Sequence, residues 1–480
     1  MSSRDEKAIE TAHSETYAEE LKVEQVQPTL DYAGSHAKVD PAEIKLVRKL
    51  DLFILPIAWT MYWFNFLDRN AITIARLDGI EKELNLKGVE YQTCISILFV
   101  GYILGQIPAN MLITRLRPSL FLAGWMAAWA VVCTLTAVTH NYTGLLLTRF
   151  FLGVAEAPFW PGLLYLLNIF YTRKEVAVRV AILFSANIAG TAFAGLIAIG
   201  VFKLEGRAGL SGWRWLFIIQ GVISFGLAIV GAFLLPDEPL NTRWLTLEER
   251  ELAHRRIAAE TVHLQEGTTT WKGLIDACKD YKLWLFIIQG HVSMASTNFK
   301  NFFPTIVSTL GYNRTITLAL TCPPYLVAGV VSVIWAWNSG RMNERTWHII
   351  SAKAVSIVGF VLAAATLNTA ARYVAICIFC SGIYAQAGIG PGWVGATFGQ
   401  TKEKRAVALA MFNTINTIAP IYTSYLWIES DAPRYAIPMG ASAAFSLVTI
   451  AISYIIRWVL IRENRKIKQS NSEATLFYAY

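Results

Sequence analysis

The chain has 480 residues, of which 54% are hydrophobic and only 16% are charged, and its formal net charge is +8. Soluble proteins carry about 25% charged residues. Here the apolar residues fall in runs of about twenty, the length that crosses a bilayer core as a helix. These runs are too long for barrel strands, and only helices or closed barrels satisfy their backbone in lipid. The composition therefore excludes a soluble protein and indicates an all-α membrane protein.

Twelve apolar runs predict twelve transmembrane helices in two bundles of six. The predicted spans are 51–70, 91–114, 118–139, 144–168, 178–202, 213–236, 283–307, 318–338, 347–367, 372–396, 405–427 and 435–458. The bundles cover residues 47–236 and 283–458. Residues 237–282 form a cytosolic linker, in which the capping-box pattern Thr246 to Glu249 predicts the start of a surface helix.

The two ends of the chain are polar. Residues 1–46 contain no apolar h-region, so we expect a disordered cytosolic tail and no cleaved signal peptide. Residues 459–480 form a second, basic tail. Lys and Arg are more frequent in the loops after the even-numbered spans than in the other loops, which predicts that both termini are cytosolic. Because most basic residues are such topology signals, we expect a lipid bilayer and no nucleic acid as partner.

A weak internal repeat relates the two bundles. Residues 172–178 match residues 401–407, and at the same offset of 229 residues Asn187 corresponds to Asn416. Repetition between halves is typical of two-bundle transporters, whose substrate site lies between the repeats. We therefore include Asn187 and Asn416 among the candidate substrate-binding residues.

Ionisable residues inside a bilayer are costly, so each one is a candidate functional residue. Span four carries Arg149 and Glu156, seven residues apart, which places them on one helix face with Cα atoms about 10 Å apart. An arginine presents a planar fork that matches a carboxylate, and a buried carboxyl group can take up and release a proton. Asp68 and Arg69 repeat this combination at the end of span one. The alternative is that these charges neutralise one another and hold the helices together.

Three further charged or titratable residues lie in the second bundle. Lys300 either extends to the interface, as long cationic side chains do, or faces a cavity and attracts an anion. His291 either ties two helices together by hydrogen bonds or carries a proton. We expect Lys353 to extend to the cytosolic interface.

Several segments carry a family resemblance. They are FLDRNAITIARLDGIEKEL (66–84), GYILGQIPANML (101–112), RFFLGVAEAPFWPGLLYLLNIFYTRKEVAVRVAILFSA (149–186), GWRWLFIIQG (212–221), TKEKRAVALAMFN (401–413) and APRYAIP (432–438). In these segments the chain resembles the anion:cation symporter branch of the major facilitator superfamily, nearest to the fungal allantoate permease group. The resemblance covers roughly residues 50–460. One departure is Gly340, which stands where the superfamily's gating motif has Asp.

The resemblance implies the major facilitator fold, with two six-helix bundles around a central site that work by alternating access. It implies proton coupling at Asp68 and Glu156 and anion binding at Arg69 or Arg149. Members of the branch carry organic acids such as allantoate, nicotinate or pantothenate, usually with protons. With the residues above, the candidate substrate-binding set is Arg69, Arg149, Lys300, Asn187, Asn416 and His291.

The sequence thus predicts a secondary transporter that imports a small organic anion with protons at the plasma membrane, working as a monomer. An exporter of a small metabolite and a transporter-like nutrient receptor are the alternatives. We find no Ser/His/Asp set, zinc motif or phosphate loop, so we expect neither an enzyme nor a cofactor or metal.

Overall fold

The computed structural model describes residues 40–113, 116–262, 270–398, 402–470, 478 and 480. In these residues the secondary structure is helical, with no strand. The chain divides into two compact units, one ending at Asp51 and the other comprising Leu52–Tyr480. Of the first unit the structure describes residues 40–51, the opening turns of the first helix. The contacts reported below lie within the second unit.

The first six predicted spans are helical. Their helices are α1 (Pro41–Ala75), α2 (Glu90–Leu112), α3 (Pro118–Thr136), α4 (Tyr142–Glu156), α5 (Phe159–Phe170), α6 (Arg173–Val201) and α7 (Gly212–Leu234). Span four is divided into α4 and α5 at Pro158, because proline lacks the N–H that would continue the helical hydrogen bonds. Glu156 is therefore the last residue of α4, at a break in the helix.

The linker contains two helices, α8 (Leu247–Val262) and α9 (Thr270–Lys279). The predicted capping box is confirmed. The backbone N–H of Thr246 donates to Glu249 at 2.9 Å, and the N–H of Glu249 donates to the Thr246 hydroxyl at 3.3 Å. This reciprocal pairing satisfies two of the free donors at the helix start.

The last six predicted spans are also helical. Their helices are α10 (Tyr281–Ala295), α11 (Phe303–Ser308), α12 (Arg314–Leu320), α13 (Cys322–Met342), α14 (Thr346–Ala365), α15 (Thr369–Ala387), α16 (Ile389–Thr397), α17 (Lys402–Asn416), α18 (Ala419–Thr423) and α19 (Ala436–Ser470). Span ten breaks at Gly388, as its Gly- and Pro-rich segment predicts. Span seven also breaks: after α10 comes a 3-10 turn, Asn298–Phe302, and then α11.

In the part of the chain that the structure describes, nine helical stretches are long and apolar enough to cross a membrane by length and composition. The other three predicted spans (91–114, 283–307 and 405–427) are also helical in their described residues. The predicted all-α membrane fold is confirmed. We call residues 52–236 the first half and residues 283–458 the second half; their identity as separate bundles stays a prediction.

The two halves contact each other at one end of the spans. Gln92 Nε2 donates to the carbonyl of Trp427 at 2.8 Å, and the Ser96 hydroxyl donates to the carbonyl of Ile421 at 2.7 Å. Arg314, at the start of α12, forms ion pairs with Asp78 and Glu205 of the first half. We call this end, which carries the loops 76–89 and 309–313, the latch end. In the described residues, the hydrogen bonds and ion pairs that join the halves lie there.

Close packing at the latch end depends on a glycine. A Cβ atom placed on Gly195 of α6 would lie 2.5 Å from the Thr321 hydroxyl and 2.6 Å from the carbonyl oxygen of Leu318. Both of these atoms belong to the second half. A side chain at Gly195 is therefore incompatible with the way the halves meet here.

Candidate functional site

Asp68 is fully buried and joins three spans of the first half. Its Oδ2 accepts hydrogen bonds from the Trp129 indole N–H at 3.1 Å and from the Ser224 hydroxyl at 2.6 Å. Its Oδ1 has no hydrogen-bond partner among the described residues. The adjacent Arg69 does not pair with Asp68, because neighbouring residues on a helix point in different directions.

Arg69 pairs instead with Glu156 across the first half. Its Nε and Nη2 both lie 2.6 Å from Glu156 Oε2. The Glu156 side chain is fully buried, whereas 20% of the Arg69 side chain is exposed. The guanidinium also lies over the rings of Phe66 and Tyr102, at 5.3 and 5.1 Å from their centroids. Arg69 is thus held between a buried carboxylate on one side and an accessible surface on the other.

Glu156 has free hydrogen-bonding capacity. Its second oxygen, Oε1, has no partner among the described residues. A carboxylate that accepts two N–H groups on one oxygen keeps the other oxygen available to bind a proton. Proton uptake would weaken the pair with Arg69, because the ion pair depends on the negative charge.

Arg149 contacts the backbone of Arg69. It is 2% exposed, and its Nη2 donates to the backbone carbonyl of Arg69 at 3.3 Å. Its Nε and Nη1 have no hydrogen-bond partner in the described part of the chain. Arg149 and Glu156 share a helix, as predicted, but Glu156 pairs with Arg69 rather than with Arg149.

Lys300 belongs to the 3-10 turn that interrupts span seven. It lines a small cavity between the halves, together with Asn70, Thr73, Ile74, Thr191, Ala194, Gly195, Phe303, Pro304, Thr321 and Tyr325. No ion pair of Lys300 occurs among the described residues. Of the two predicted positions for Lys300, the structure shows the one that faces a cavity.

This cavity has a volume of about 20 Å³. One water molecule needs about 10–15 Å³ measured in this way, so the space holds a water but not a carboxylate. The lining includes polar groups: Asn70 Nδ2 donates to the Thr191 hydroxyl at 3.3 Å. The Tyr325 hydroxyl is buried without a partner among the residues the structure describes.

The two asparagines related by the internal repeat lie in different surroundings. Asn187 is half-buried on α6, and its backbone carbonyl accepts a hydrogen bond from the Thr191 hydroxyl at 3.0 Å, next to the cavity of Lys300. Asn416 ends α17 and is 9% exposed; its Oδ1 has no partner in the described residues. Asn187 thus contacts Thr191, which lines the cavity of Lys300, but neither Asn187 nor Asn416 lines that cavity itself.

His291 ties α10 to α17 and α18. Its Nδ1 lies 3.0 Å from the carbonyl of Ile415, and its Nε2 lies 2.9 Å from the hydroxyl of Tyr422. Since a carbonyl only accepts, Nδ1 carries the proton and in the neutral ring Nε2 accepts from Tyr422. This geometry matches the predicted helix–helix alternative for His291.

The expectation for Lys353 was wrong. Lys353 is 0% exposed and does not reach an interface. Its Nζ donates to the Ser296 hydroxyl at 2.8 Å, at the break of span seven. The sequence places Lys353 near the start of a span, but Ser296 lies at the C-terminal end of α10, and this hydrogen bond holds the lysine inside the second half.

Sequence reasoning did not identify the partners that hold these groups. Trp129 and Ser224 bind Asp68, Ser296 binds Lys353, and Tyr325 lines the cavity of Lys300. Serine, tryptophan and tyrosine are common in membrane helices, so their residue types give no distinguishing signal. Only the packing of several spans brings them to the charged residues.

Comparisons with known proteins agree with this architecture. The family model described as Major Facilitator Superfamily matches residues 58–424. The chain is 32% identical over 441 residues to the major facilitator-type transporter hxnP of Emericella nidulans, covering 90% of this chain and 88% of that protein. It is 27% identical to the high-affinity nicotinic acid transporter of Saccharomyces cerevisiae, covering 92% of this chain and 82% of that protein.

Solved structures share the fold at low sequence identity. A bacterial homologue of the human lysosomal transporter Spinster superposes with a TM-score of 0.68 at 15% identity, covering 88% of this chain and 99% of that chain. A D-xylose-proton symporter gives a TM-score of 0.64 at 13% identity, covering 84% of this chain and 97% of that chain. The chain is therefore a multi-pass membrane transporter and not an enzyme, and it belongs to the Major Facilitator Superfamily.

Proposed function

We propose that the protein imports a small carboxylate together with protons by alternating access. The observation that carries this proposal is the buried Arg69–Glu156 pair, in which the arginine is partly exposed and the glutamate has one free oxygen. An arginine fork held by one carboxylate can bind another carboxylate in its place. In this role, Glu156 and a substrate anion compete for Arg69.

This competition couples the proton to the anion. Protonation of Glu156 removes the charge that holds Arg69, so the guanidinium becomes available to the substrate carboxylate. Release of the substrate then lets Arg69 pair with Glu156 again, and the proton leaves. Asp68, also buried and with a free Oδ1, is the second proton site in this proposal.

The remaining positive charges supply the anion site. Lys300 lines the cavity between the halves from the second half, without an ion-pair partner of its own among the described residues. Two cations in a medium of low dielectric constant repel, and an anion bound between them relieves the repulsion. Arg149, Asn187, Asn416 and His291 complete the proposed set of substrate-binding residues.

A relative's substrate supports this chemical class. Nicotinic acid, which names the yeast transporter that is 27% identical to this chain, is a small monocarboxylic acid. The chain and that protein align over most of both lengths. We therefore assign a monocarboxylate as the substrate, with allantoate, nicotinate and pantothenate as the first compounds to test.

Alternating access requires that the latch end opens and closes. The Lys and Arg bias of the loops supports an orientation in which the latch end faces outward and both termini are cytosolic. In this orientation the described conformation is closed to the outside. The proposed location is the plasma membrane, with the monomer as the transporting unit.

Uptake in cells that lack their own carboxylate carriers tests the proposal. Radiolabelled allantoate, nicotinate and pantothenate are supplied at acidic and neutral external pH, with and without an uncoupler. We expect one of these anions to accumulate faster at acidic pH and to stop accumulating with uncoupler. Absence of uptake of every compound, with the protein shown to be at the cell surface, would contradict the proposal.

A further inference from the structure

The intramembrane charges are distributed unequally between the halves. In the first half, the carboxylates Asp68 and Glu156 lie in the same spans as Arg69 and Arg149. In the second half, the sequence from 283 to 458 contains four carboxylates, and all of them lie outside the predicted spans: Glu344, Glu403, Glu429 and Asp431. Lys300 and Lys353 therefore have no carboxylate within the spans of their own half.

Lys353 is the more isolated of these two lysines. It is fully buried, and its one hydrogen bond in the described part of the chain goes to the Ser296 hydroxyl at 2.8 Å. The packing around it is close. A Cβ atom on Gly382 would lie 2.5 Å from the carbonyl oxygen of Ala352, and one on Gly359 would lie 2.5 Å from the backbone nitrogen of Phe379. Such packing leaves little room for water around the lysine.

The neighbouring spans offer no counter-charge. Their titratable or charged residues are His291 and Lys300 on span seven, Arg372, Tyr373, Cys377, Cys380 and Tyr384 on span ten, and Tyr435, Tyr454 and Arg457 on span twelve. His348 lies on the same helix as Lys353. Within the described residues, Arg457 is paired with Glu344, outside the spans. None of these groups is a carboxylate that could neutralise an ammonium at Lys353.

Ser296, the hydrogen-bond partner of Lys353, lies at the end of a broken helix. Ser296 follows the last residue of α10, and its own hydroxyl donates to the carbonyl of Ser293 at 2.7 Å. The C-terminal end of a helix carries about half an elementary negative charge, which only partly compensates an ammonium. Broken helices whose ends face an ion are typical of transporter coupling sites.

Polar side chains continue from this break. The Ser293 hydroxyl donates to Gln386 Oε1 of α15 at 2.8 Å. Gln386 keeps 7% of its surface exposed. The polar groups that begin at Lys353 thus extend to the buried side chain of Gln386 on α15.

We propose that Lys353, with Ser296, is an additional proton-binding site at the break of span seven. In the closed conformation described here the amine is neutral, because an ammonium buried without a counter-ion is strongly disfavoured. When the latch end opens and water enters, the amine lone pair accepts a proton and becomes an ammonium. By linkage, protonation of Lys353 favours the conformation in which the latch end is open.

This site also has a consequence that depends on the proposed function. A protonated Lys353 opposes closure of the empty carrier, since the second half has no carboxylate in its spans to compensate it. A bound carboxylate substrate supplies that negative charge, so the carrier closes with proton and anion together. The ammonium would thereby prevent a leak of protons without substrate.

Distance measurements without substrate test the proton site. Spin labels are placed at Val89 and Tyr312, which are exposed in the two loops of the latch end. The exposed Cys278 and half-buried Cys377 are replaced by serine. Asp68→Asn and Glu156→Gln remove the two carboxylates of the first half, so that a remaining pH response does not come from them. The purified protein is measured in lipid nanodiscs at acidic and alkaline pH.

We expect the fraction with a long distance between the labels to rise about threefold at acidic pH. Lys353→Met should abolish this rise, Lys353→Arg should give the long distance at both pH values, and the exposed Lys203→Met should respond like the parent protein. Lys353→Gln replaces Lys353→Met if the latter does not fold. The proposal is overturned if the parent shows no pH response or if loss of the Lys353 amine leaves the response unchanged. Because no substrate is present, this result is independent of whether carboxylate uptake is observed.

Discussion

Arg69 has one planar fork and two possible carboxylate partners, Glu156 and a substrate. In the described conformation Glu156 occupies the fork, with Nε and Nη2 both 2.6 Å from its Oε2. In the proposed mechanism, Arg69 is released from Glu156 by a change in the charge of Glu156 or by a competing anion. The proposed coupling therefore depends on a single ion pair, which makes it accessible to substitution.

Glu156→Gln removes the charge and keeps the shape of the side chain. We expect proton-driven uptake to fall by at least about tenfold. A change of about 1.4 kcal/mol in the free energy of the step in which Arg69 exchanges its partner already gives that factor. Exchange of labelled for unlabelled substrate should remain, since the amide resembles the protonated acid and exchange needs no net proton movement. Both rates are measured in the same vesicles. Glu251→Gln, an exposed position in the linker, is the matched control, and full proton-driven uptake by Glu156→Gln would disprove the role.

Arg69→Lys and Arg149→Lys distinguish the two candidate anion-binding arginines. A lysine keeps the charge but loses the fork. Arg69 is partly exposed whereas Arg149 is 2% exposed, so we expect the larger rise in KM, about tenfold, for Arg69→Lys. Concentration dependence of uptake measures it. An unchanged KM in Arg69→Lys would assign the anion to another residue.

The sequence predicted which charged residues lie inside the spans better than it predicted their partners. Asp68, Arg69, Arg149 and Glu156 stand out because charges are rare in membrane spans. Their pairing across spans one and four depends on helix rotation and depth, which a single sequence does not contain. For the same reason, the burial of Lys353 inside the second half was not predicted.

Among the helices, α6 and α12 determine how closely the halves approach at the latch end. Gly195→Ala places a methyl group against the carbonyl of Leu318 and the hydroxyl of Thr321. We expect this variant to favour the open latch end and to reduce transport by about tenfold. Gly200→Ala, on the same helix with no atom within 4 Å of the added Cβ, is the matched control. Equal transport rates of the two variants would show that this contact does not limit closure.

Arg314 connects α12 to two carboxylates of the first half, and these are unequal. The Asp78 side chain is fully buried, whereas 52% of the Glu205 side chain is exposed. An exposed pair contributes about 0–1 kcal/mol, and removal of one partner of a buried pair costs about 3–5 kcal/mol.

Arg314→Gln should therefore open the latch end far more often than Glu205→Gln. Distances between spin labels at Val89 and Tyr312 report this difference. The same degree of opening in both variants would exclude Asp78 as the main partner of Arg314 in the latch.

The positions of the helices could be predicted closely from the apolar runs. The positions of the breaks within them could be predicted only in part. Proline and glycine predict the breaks at Pro158 and Gly388, because they remove a donor or loosen the backbone. The break of span seven begins at Ser296 and precedes Pro304 by several residues, so no local residue type predicts its start.

The whole molecule combines a first half that has both acidic and basic residues in its spans with a second half whose intramembrane charges are positive. The twelve helical spans and the membership in the superfamily could be inferred from the sequence, since both depend on long apolar runs and extended motifs. The substrate could not, because the cavity near Lys300 is formed by residues of both halves and in this conformation has a volume of about 20 Å³. The distribution of charge over the whole molecule, rather than the shape of this cavity, supports the proposal that the substrate is an anion.

The central claim is that protons and a carboxylate move together. Its most direct test uses purified protein in liposomes without an imposed gradient, in a weakly buffered medium. The carboxylate that supports uptake in cells is added outside while the external pH is recorded. We predict that the medium becomes more alkaline as the anion enters, and that a protonophore abolishes the change. Entry of the labelled anion without any alkalinisation would contradict the account.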